Sequence, residues 1–483
     1  MKKISSLIAM IFIMAGTNLW AQYTVLHKFN DTTGANENLT SGWSGSLFSD
    51  GAYLYGMTTL GGPSIGPSGC GTLGFGVMFK IKPDGSGYDT LRSFNGNYGG
   101  NPLFSSFISD GIYLYGMASA GAPSNVCCGS VFKIKPDGSG FDTLVTFNAS
   151  NGCSPMGSLV YDGTYLYGMT NLGDGVGLGS LFKVKPDGSG FVDMYSLVGS
   201  TGESPYGSLL LNGSYLYGMT ETAGGASTAE FGTIFKVSTN GTGFNIMHVF
   251  NDTNGAYPYG SLILVGNYFY GMTEAGGAYN EGVIFKIKTD GSGFYTLFSF
   301  NNNDGSSPYG TLLSIGKNLY GMTSAGGTTY GGTIFKIDTN GTHYSVLYNF
   351  DNNDDINGIN PYGALIFDGT YLYGMTATGG EDNYGVIFKM DTSATSSINE
   401  LTAMSGTINV YPNPARAEIQ VISNQCSVSG IEIFDLLGER INNLPITDNR
   451  SPITVNIADL PSGMYIVVVK TEKGTEVKKF VKE

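Results

Sequence analysis

Apolar residues in this chain fall in short runs, and each run ends at an Asn-Gly or Asp-Gly pair or in a longer Gly-rich stretch. The segment around Tyr217 is representative. Gly207-Ser-Leu-Leu-Leu211 turns at Asn212-Gly213 into Tyr215-Leu-Tyr-Gly-Met-Thr220. A longer connection leads to Thr233-Ile-Phe-Lys-Val237, which turns at Asn240-Gly241 into the run from Phe244 to Phe250. Asn-Gly and Asp-Gly supply the positive φ angles of two-residue hairpins, so the segment predicts four antiparallel strands. No convincing 3.6-residue period occurs in the body of the chain, which is expected to be all-β.

The unit repeats. Tyr-Gly-Met begins at Tyr55, Tyr115, Tyr167, Tyr217, Tyr270, Tyr320 and Tyr373, and a Phe-Lys pair follows each, at Phe79, Phe132, Phe182, Phe235, Phe285, Phe335 and Phe388. Seven units of four strands predict a seven-bladed β-propeller. The ends sharpen the prediction. A fourth-strand pattern follows six of the Phe-Lys pairs, whereas the seventh runs into Asp391-Thr-Ser-Ala-Thr-Ser-Ser397; a spare copy, Tyr23-Thr-Val-Leu-His-Lys-Phe29, precedes the first unit. Seven complete blades therefore require the amino-terminal strand to close the last sheet non-covalently.

The words Tyr-Gly-Met-Thr-x-x-Gly-Gly, at Tyr320 to Gly327, and Gly-Thr-Ile-Phe-Lys-Ile, at Gly332 to Ile337, resemble the GloVer-type tandem repeat of secreted bacterial proteins. That resemblance implies no assigned activity and no catalytic residues. Kelch repeats share the double glycine, but their paired Tyr and Trp are missing here. From Ile408 glycine becomes sparse and seven strand-like runs suggest a small β-sandwich. Ile408-Asn-Val-Tyr-Pro-Asn-Pro414, Ile431-Glu-Ile-Phe-Asp-Leu-Leu-Gly438, Leu460-Pro-Ser-Gly-Met-Tyr-Ile-Val-Val-Val-Lys470 and Lys478-Lys-Phe-Val-Lys482 resemble, in order, the sorting domain of the Bacteroidetes type IX secretion system. The resemblance implies export by that machinery, often with attachment to surface lipopolysaccharide.

At the amino terminus, Lys2 and Lys3 precede an apolar run from Leu7 to Gly16 and a polar stretch ending at Ala21, the pattern of a signal peptide. No later run is long enough to cross a bilayer as a helix. The expected organisation is a signal peptide at 1–21, a propeller at 22–390, a linker at 391–407 and a sorting domain at 408–483, giving a secreted or outer-membrane surface monomer. Composition narrows the function. The formal charge of −14 excludes a basic nucleic-acid groove, while 13% aromatic residues and 74 glycines describe a turn-rich, aromatic-packed body.

Candidate chemistry is sparse, and neither a cofactor nor a metal set is expected. Asp351, Asn353, Asp355 and Asn357 alternate like the start of a calcium loop but lack its Gly and its closing Glu. Gly62-Pro-Ser-Ile-Gly66 has no strand-turn-helix setting for a hydrolase. His27 and His248 belong to outer strands and His343 to a turn, away from any axial site. Cys70, Cys127, Cys128 and Cys153 lie in connections of the first three units. Export favours oxidation, with Cys70 joined to Cys127 or Cys128 and Cys153 taking the other. Cys426 is left over as a free thiol.

The residues that could bind a ligand are an aromatic set just before the first strand of each blade: Phe104, Tyr206, Tyr259, Tyr309 and Tyr362, with Met156 in the third unit. First strands line a propeller axis, so these rings should gather at one mouth, with Glu221 and Glu274 in connections on the same face. Amphipathic rings there suit sugars; they would equally serve to plug the channel. Lys236 and its counterparts suggest either an anion-binding ring or aliphatic stems lying on the next blade. Gly218 and its equivalents are expected to let neighbouring blades approach. The resulting expectation is a non-enzymatic binding module for a glycan or protein ligand. Its rivals are a carbohydrate-active hydrolase or lyase using Glu221, Glu274 or Glu381, and a purely structural surface protein.

Overall fold

The computed structural model describes residues 23–30, 32–34, 45–62, 74–96, 99–121, 128–173, 178–222, 231–353, 355–392, 408–412, 414–423, 428–434, 440–445, 452–461, 463–471 and 474–482. The chain divides into two compact units, Met1–Thr395 and Ser396–Glu483. The expected signal peptide, most of the linker, Cys70, Cys127 and Cys426 lie outside the described residues.

Among the described residues, the first unit contains seven four-stranded antiparallel sheets. The hairpin pattern sets their order. In the sheet around Tyr217, Leu210–Asn212, Tyr215–Thr220, Thr233–Ser238 and Asn245–Val249 lie side by side in chain order. Gly213 and Gly241 turn the chain at φ 59° and 87°, where a Cβ is disfavoured. In four sheets the first turn carries Asp, and that Asp caps the repeat tyrosine: Tyr55 Oη donates to Asp50 at 2.8 Å, as do Tyr115, Tyr167 and Tyr373 to their own turns. The sheet around Tyr373 departs from chain order. Its outer strand is Tyr23–Lys28, antiparallel to Val386–Asp391, with Tyr23 opposite Met390 and Val25 opposite Phe388.

Sheets pack face to face because side chains alternate along a strand. Tyr217, Met219 and Ile234 lie against Leu262, Phe269 and Phe285 of the following sheet. Leu216, Phe235 and Val237 lie against Tyr167, Met169 and Leu181 of the preceding one. The same contact joins the last sheet to the first, where Tyr373, Met375 and Ile387 meet Leu54, Phe79 and Ile81, and Phe29 is sealed among them at 1% exposure.

Gly218 has a different role from the one expected. A Cβ on it would lie 2.5 Å from Phe235 Cζ, so this glycine makes room for a ring of its own sheet. Close approach between sheets occurs at the innermost strands instead. A Cβ on Gly207, Gly260, Gly310 or Gly363 would fall 2.1, 2.3, 2.1 or 2.4 Å from the carbonyl oxygen of Gly260, Gly310, Gly363 or Gly45 respectively. The hydroxyl residues after Gly45, Gly207, Gly260 and Gly310 tie the sheets together. The backbone N–H of Ser158 donates to Ser208 Oγ at 2.8 Å, Ser208 to Ser261 at 2.7 Å, Ser261 to Thr311 Oγ1 at 3.0 Å and Ala364 to Ser46 at 2.8 Å.

The outer strands interlock through planar groups. Tyr195 stacks on Phe244 at 4.2 Å, His248 on Phe294 at 3.7 Å, Phe298 on Tyr344 at 4.0 Å, Tyr348 on Tyr23 at 4.1 Å and His27 on Tyr88 at 3.8 Å. The Arg92 guanidinium lies 4.1 Å over Phe141 in the equivalent place. The amino-terminal strand thus supplies one stacked pair on each side, and the two histidines are packing residues.

Burial lowers both His27 and His248 to about 4, the Asn254 amide acting weakly in the other direction at His248. A folded pKa below the unfolded value near 6.5 favours the neutral ring in the native state. Stability is therefore full above about pH 6.5 and is lost as pH falls through that value towards 4. Between neutral pH and the lower limit, we expect a loss of about 2 kcal/mol from the pair, discounted because both rings touch solvent. Urea midpoints across that range test this: a variant carrying His27→Phe and His248→Phe should show a flatter profile, and an unaltered profile would remove the histidines from the acid response.

Among the described residues, the second unit has one three-stranded sheet, Ile408–Tyr411, Glu418–Ser423 and Ile453–Asn456, and one four-stranded sheet, Arg440–Pro445, Val428–Phe434, Gly463–Thr471 and Gly474–Lys482. Ile419, Val421 and Val455 from the first share a core with Ile431, Ile433, Val467, Val469 and Phe480 from the second.

Candidate functional site

A repeated backbone clamp builds the mouth. In each Ser/Tyr/Asn-Pro-Tyr word the residue before proline is left-handed: Ser204, Tyr257, Ser307 and Asn360 have φ of 52°, 57°, 52° and 55°. Such a conformation costs on the order of 1 kcal/mol or more for a residue with a Cβ and persists only where its surroundings hold it. Here the Tyr257 N–H donates to Phe231 O of the preceding sheet at 3.1 Å, and its carbonyl accepts from the Glu274 N–H at 3.0 Å. Ser204 is held likewise by Leu178 O at 3.0 Å and the Glu221 N–H at 3.2 Å. Pro258 fits against Gly232, where a Cβ would fall 2.8 Å from its Cδ. One clamp therefore fixes both the aromatic ring two residues on and the residue that ends the second strand.

The expected rings come together. Tyr206 and Tyr259 have centroids 4.8 Å apart, Tyr259 and Tyr309 4.8 Å, and Tyr309 and Tyr362 4.9 Å. Phe104 meets this row from another sheet, 5.9 Å from Tyr206, 6.3 Å from Tyr259 and 6.5 Å from Tyr309. All five rings are half-buried, as is Met156. Phe104, Tyr259, Tyr309 and Tyr362 also line a cavity of about 290 Å³ that runs on past Ser208, Ser261 and Thr311.

Two carboxylates join the row. Tyr259 Oη donates to Glu221 Oε1 at 2.5 Å, and Ser307 Oγ and Tyr309 Oη donate to Glu274 Oε1 at 3.0 and 3.5 Å. Burial raises Glu221; the Tyr259 hydrogen bond opposes this and the charge of Glu274 adds to it. Burial also raises Glu274, against the Ser307 and Tyr309 hydrogen bonds and with help from Glu281. The tyrosines respond in kind. Burial and the Glu221 charge push Tyr206 up to about 12, and burial with the Glu221 hydrogen bond raises Tyr259 further. Burial and the Glu274 charge raise Tyr309 and Tyr362. Glu381 stands apart, exposed and 4.0 Å from Lys28 of the amino-terminal strand.

Sequence reasoning missed Asn171. It occupies in the third repeat the place of Glu221 and Glu274, is only 7% exposed and influences the Tyr206 hydroxyl, while among the described residues its Nδ2 makes no hydrogen bond of ordinary geometry. The signal was available. The residue after Tyr-Gly-Met-Thr differs between repeats, as Thr59, Asn171, Glu221, Glu274, Ser324 and Ala377, and disagreement between repeats marks a position free of the common packing.

The remaining candidates lie elsewhere. Cys128 and Cys153 form a disulfide with Cα atoms 4.3 Å apart, one of the two partners left open for Cys153. Lys236 Nζ lies 5.4 Å over Tyr215 of its own sheet, and its counterparts Lys80, Lys133 and Lys183 reach the carbonyls of Pro136, Pro186 and Thr239 in the following sheet at 3.5, 3.4 and 3.1 Å. Lys80, Lys133 and Lys183 thus tie sheets together and Lys236 packs on an aromatic ring, as expected of stems lying on their neighbours rather than of an anion-binding ring.

Seven four-stranded sheets among the described residues, four of them clamped at an aromatic, acidic mouth, and a β-sheet tail define an all-β repeat protein of propeller-like construction. Residues 10–231 and 224–423 match the Gloeobacter/Verrucomicrobia repeat, and the chain belongs to that family. Residues 409–483 match the secretion system C-terminal sorting domain, here of the type IX kind. The protein is therefore secreted or displayed at the outer-membrane surface and engages the type IX machinery through its tail. None of the helices among the described residues is long and apolar enough to cross a membrane. Comparison with curated proteins finds no match. Among solved structures, the chain is similar to PorZ, an essential bacterial surface component of the type IX secretion system of Porphyromonas gingivalis, at 16% identity and TM-score 0.46, over 95% of this chain and 61% of that one. The chain thus spans less than two thirds of PorZ. It is also similar to an oligogalacturonate lyase in complex with manganese, at 11% identity and TM-score 0.50, over 78% of this chain and 94% of the lyase. At such identities the likeness extends to the fold alone.

Proposed function

We propose that the first unit is a seven-bladed propeller, closed by Tyr23–Lys28, that acts at the cell exterior as a non-catalytic saccharide-binding module. Closure is supported by the pairing of the amino-terminal strand with the last sheet and by the contact of Gly363 with Gly45. The binding role rests on one observation above all: four consecutive sheets present Tyr206, Tyr259, Tyr309 and Tyr362 as a half-open row on one side of a mouth whose other side carries Phe104. Rings that served only as a plug would have no need of hydroxyls turned to carboxylates. In this reading Glu221 and Glu274 accept hydrogen bonds from the ligand and perform no chemistry, since each is already engaged by a tyrosine hydroxyl.

A glycan-array screen of the mature chain tests the proposal. Stacking contributes about 1 kcal/mol per ring, so a variant with Tyr259→Ala and Tyr309→Ala should bind roughly thirty-fold more weakly. Its melting temperature should stay close to that of the parent. An array without hits, or undiminished binding by the variant, would overturn the proposal.

A further inference from the structure

Charge is distributed unevenly between the two ends of the sheets. At the mouth end run the connections from second to third strands and from each outer strand to the next sheet, and in sequence none of them contains Lys, Arg or His. They do contain acids, among them Glu203, Glu221, Asp252, Glu274, Glu281 and Asp304. The bases sit at the opposite end, in turns such as Lys82-Pro-Asp-Gly85, Lys135-Pro-Asp-Gly138 and Lys185-Pro-Asp-Gly188. Lys28, the last residue of the amino-terminal strand, faces Glu381.

Within the mouth, the two carboxylates have hydrogen-bond donors but, among the described residues, no cation as partner. Tyrosine rings surround them, and the face of an aromatic ring is itself attractive to cations. Beside Tyr206, whose hydroxyl it influences, Asn171 is buried to more than nine tenths, and among the described residues its Nδ2 donor has no hydrogen-bond partner of ordinary geometry. Such a donor calls for an acceptor oxygen, and the carboxylates call for positive charge. A single ligand chemistry supplies both.

The geometry points to an amine-bearing saccharide as the ligand of this mouth, its ammonium set between Glu221 and Glu274 over the rings of Tyr259 and Tyr309, and a ring or hydroxyl oxygen accepting from Asn171. This rests on the saccharide-binding reading and narrows it. Anionic sugars are rejected: a uronate would bring a third carboxylate to two that already repel each other, with no Lys, Arg or His in the mouth-end connections to receive it.

Three oligomers of equal length test the inference by calorimetry on the mature chain: a β-1,4-linked glucosamine oligomer, its fully N-acetylated form and a galacturonate oligomer, at a pH just below the amine's own pKa. The glucosamine oligomer should bind at least about ten-fold more tightly than the acetylated one, with an advantage that shrinks as salt is added, and the galacturonate should not bind. In a variant with Glu221→Gln and Glu274→Gln the preference should vanish while binding of the acetylated oligomer persists. A separate Asn171→Leu variant should weaken both amino-sugar oligomers by a similar factor. Equal binding of the two forms by the parent, or binding of galacturonate, would overturn the inference and leave the saccharide reading standing. No binding to any of the three overturns the inference, and the glycan array then decides the broader reading independently.

Discussion

Removing residues 22–30 should cost the first unit most of its stability. The segment supplies a whole outer strand, paired from Tyr23↔Met390 to Lys28↔Val386, and bridges two neighbouring sheets. Tyr23 stacks on Tyr348 at 4.1 Å, lies 5.0 Å from Phe388, and donates its hydroxyl to Asn357 O at 2.6 Å. At the other end, Phe29 is 1% exposed and its N–H donates to Gly385 O at 3.1 Å. Losing Phe29 alone, as Phe29→Ala, should cost about 3–5 kcal/mol. The full deletion also strips the backbone partners of Val386–Asp391 and leaves an apolar sheet edge open, so a loss on the order of 5–10 kcal/mol is expected, comparable to the entire margin of a typical domain. Urea unfolding of the deleted chain should show a collapsed midpoint and a tendency to associate. Adding a synthetic 22–30 peptide should restore part of the midpoint; a midpoint that never moved would show that the first unit does not depend on this strand.

Gly310→Ala should be nearly as damaging, although it adds a single methyl group. Its Cβ would lie 2.1 Å from Gly363 O and 2.8 Å from Gly363 C, backbone atoms of the next sheet that cannot rotate away. Separating these sheets by more than an ångström would strain the Gly363–Gly45 contact next to it and displace Tyr309 and Tyr362, so a cost of about 2–4 kcal/mol is expected. Gly163→Ala is the control. Gly163 has φ 91° and nothing within 4 Å of a built Cβ, so its replacement carries only the backbone penalty of about 1 kcal/mol. Thermal melts should rank Gly310→Ala well below Gly163→Ala. The reverse order would mean that the inner strands are less tightly apposed than their carbonyl contacts imply.

Much of the fold was legible because its signals are local. Hairpin turns announce themselves as Asn-Gly and Asp-Gly, and Tyr-Gly-Met and Phe-Lys keep register from the first unit to the last. The spare strand at 23–29 could be assigned to the last sheet by counting alone, and the structure places it there. Gly218 was misread because the pattern reports only that a Cβ is excluded. Whether a neighbouring sheet or Phe235 of the same sheet excludes it depends on where the phenyl ring points. The close approach at Gly207, Gly260 and Gly310 went unnoticed for the same reason: three-dimensional apposition leaves the same letter in the sequence as a turn does.

The mouth divides along the same line. The aromatic row could be read in advance since it repeats at a fixed offset before each first strand, and the two glutamates since they follow the same word in adjacent repeats. What the sequence by itself determined was the repeat, its strand content, the sorting tail and which residues share one end of the sheets. Only the tertiary structure decided that Tyr259 and Tyr309 spend their hydroxyls on Glu221 and Glu274, that Glu381 stands outside with Lys28, and that Asn171 joins the site with an unused donor. Those facts depend on distances between side chains 35 residues apart or more, set by how the sheets are rotated against one another. Packing of buried rings and carbonyls sets that rotation, and no local pattern encodes it.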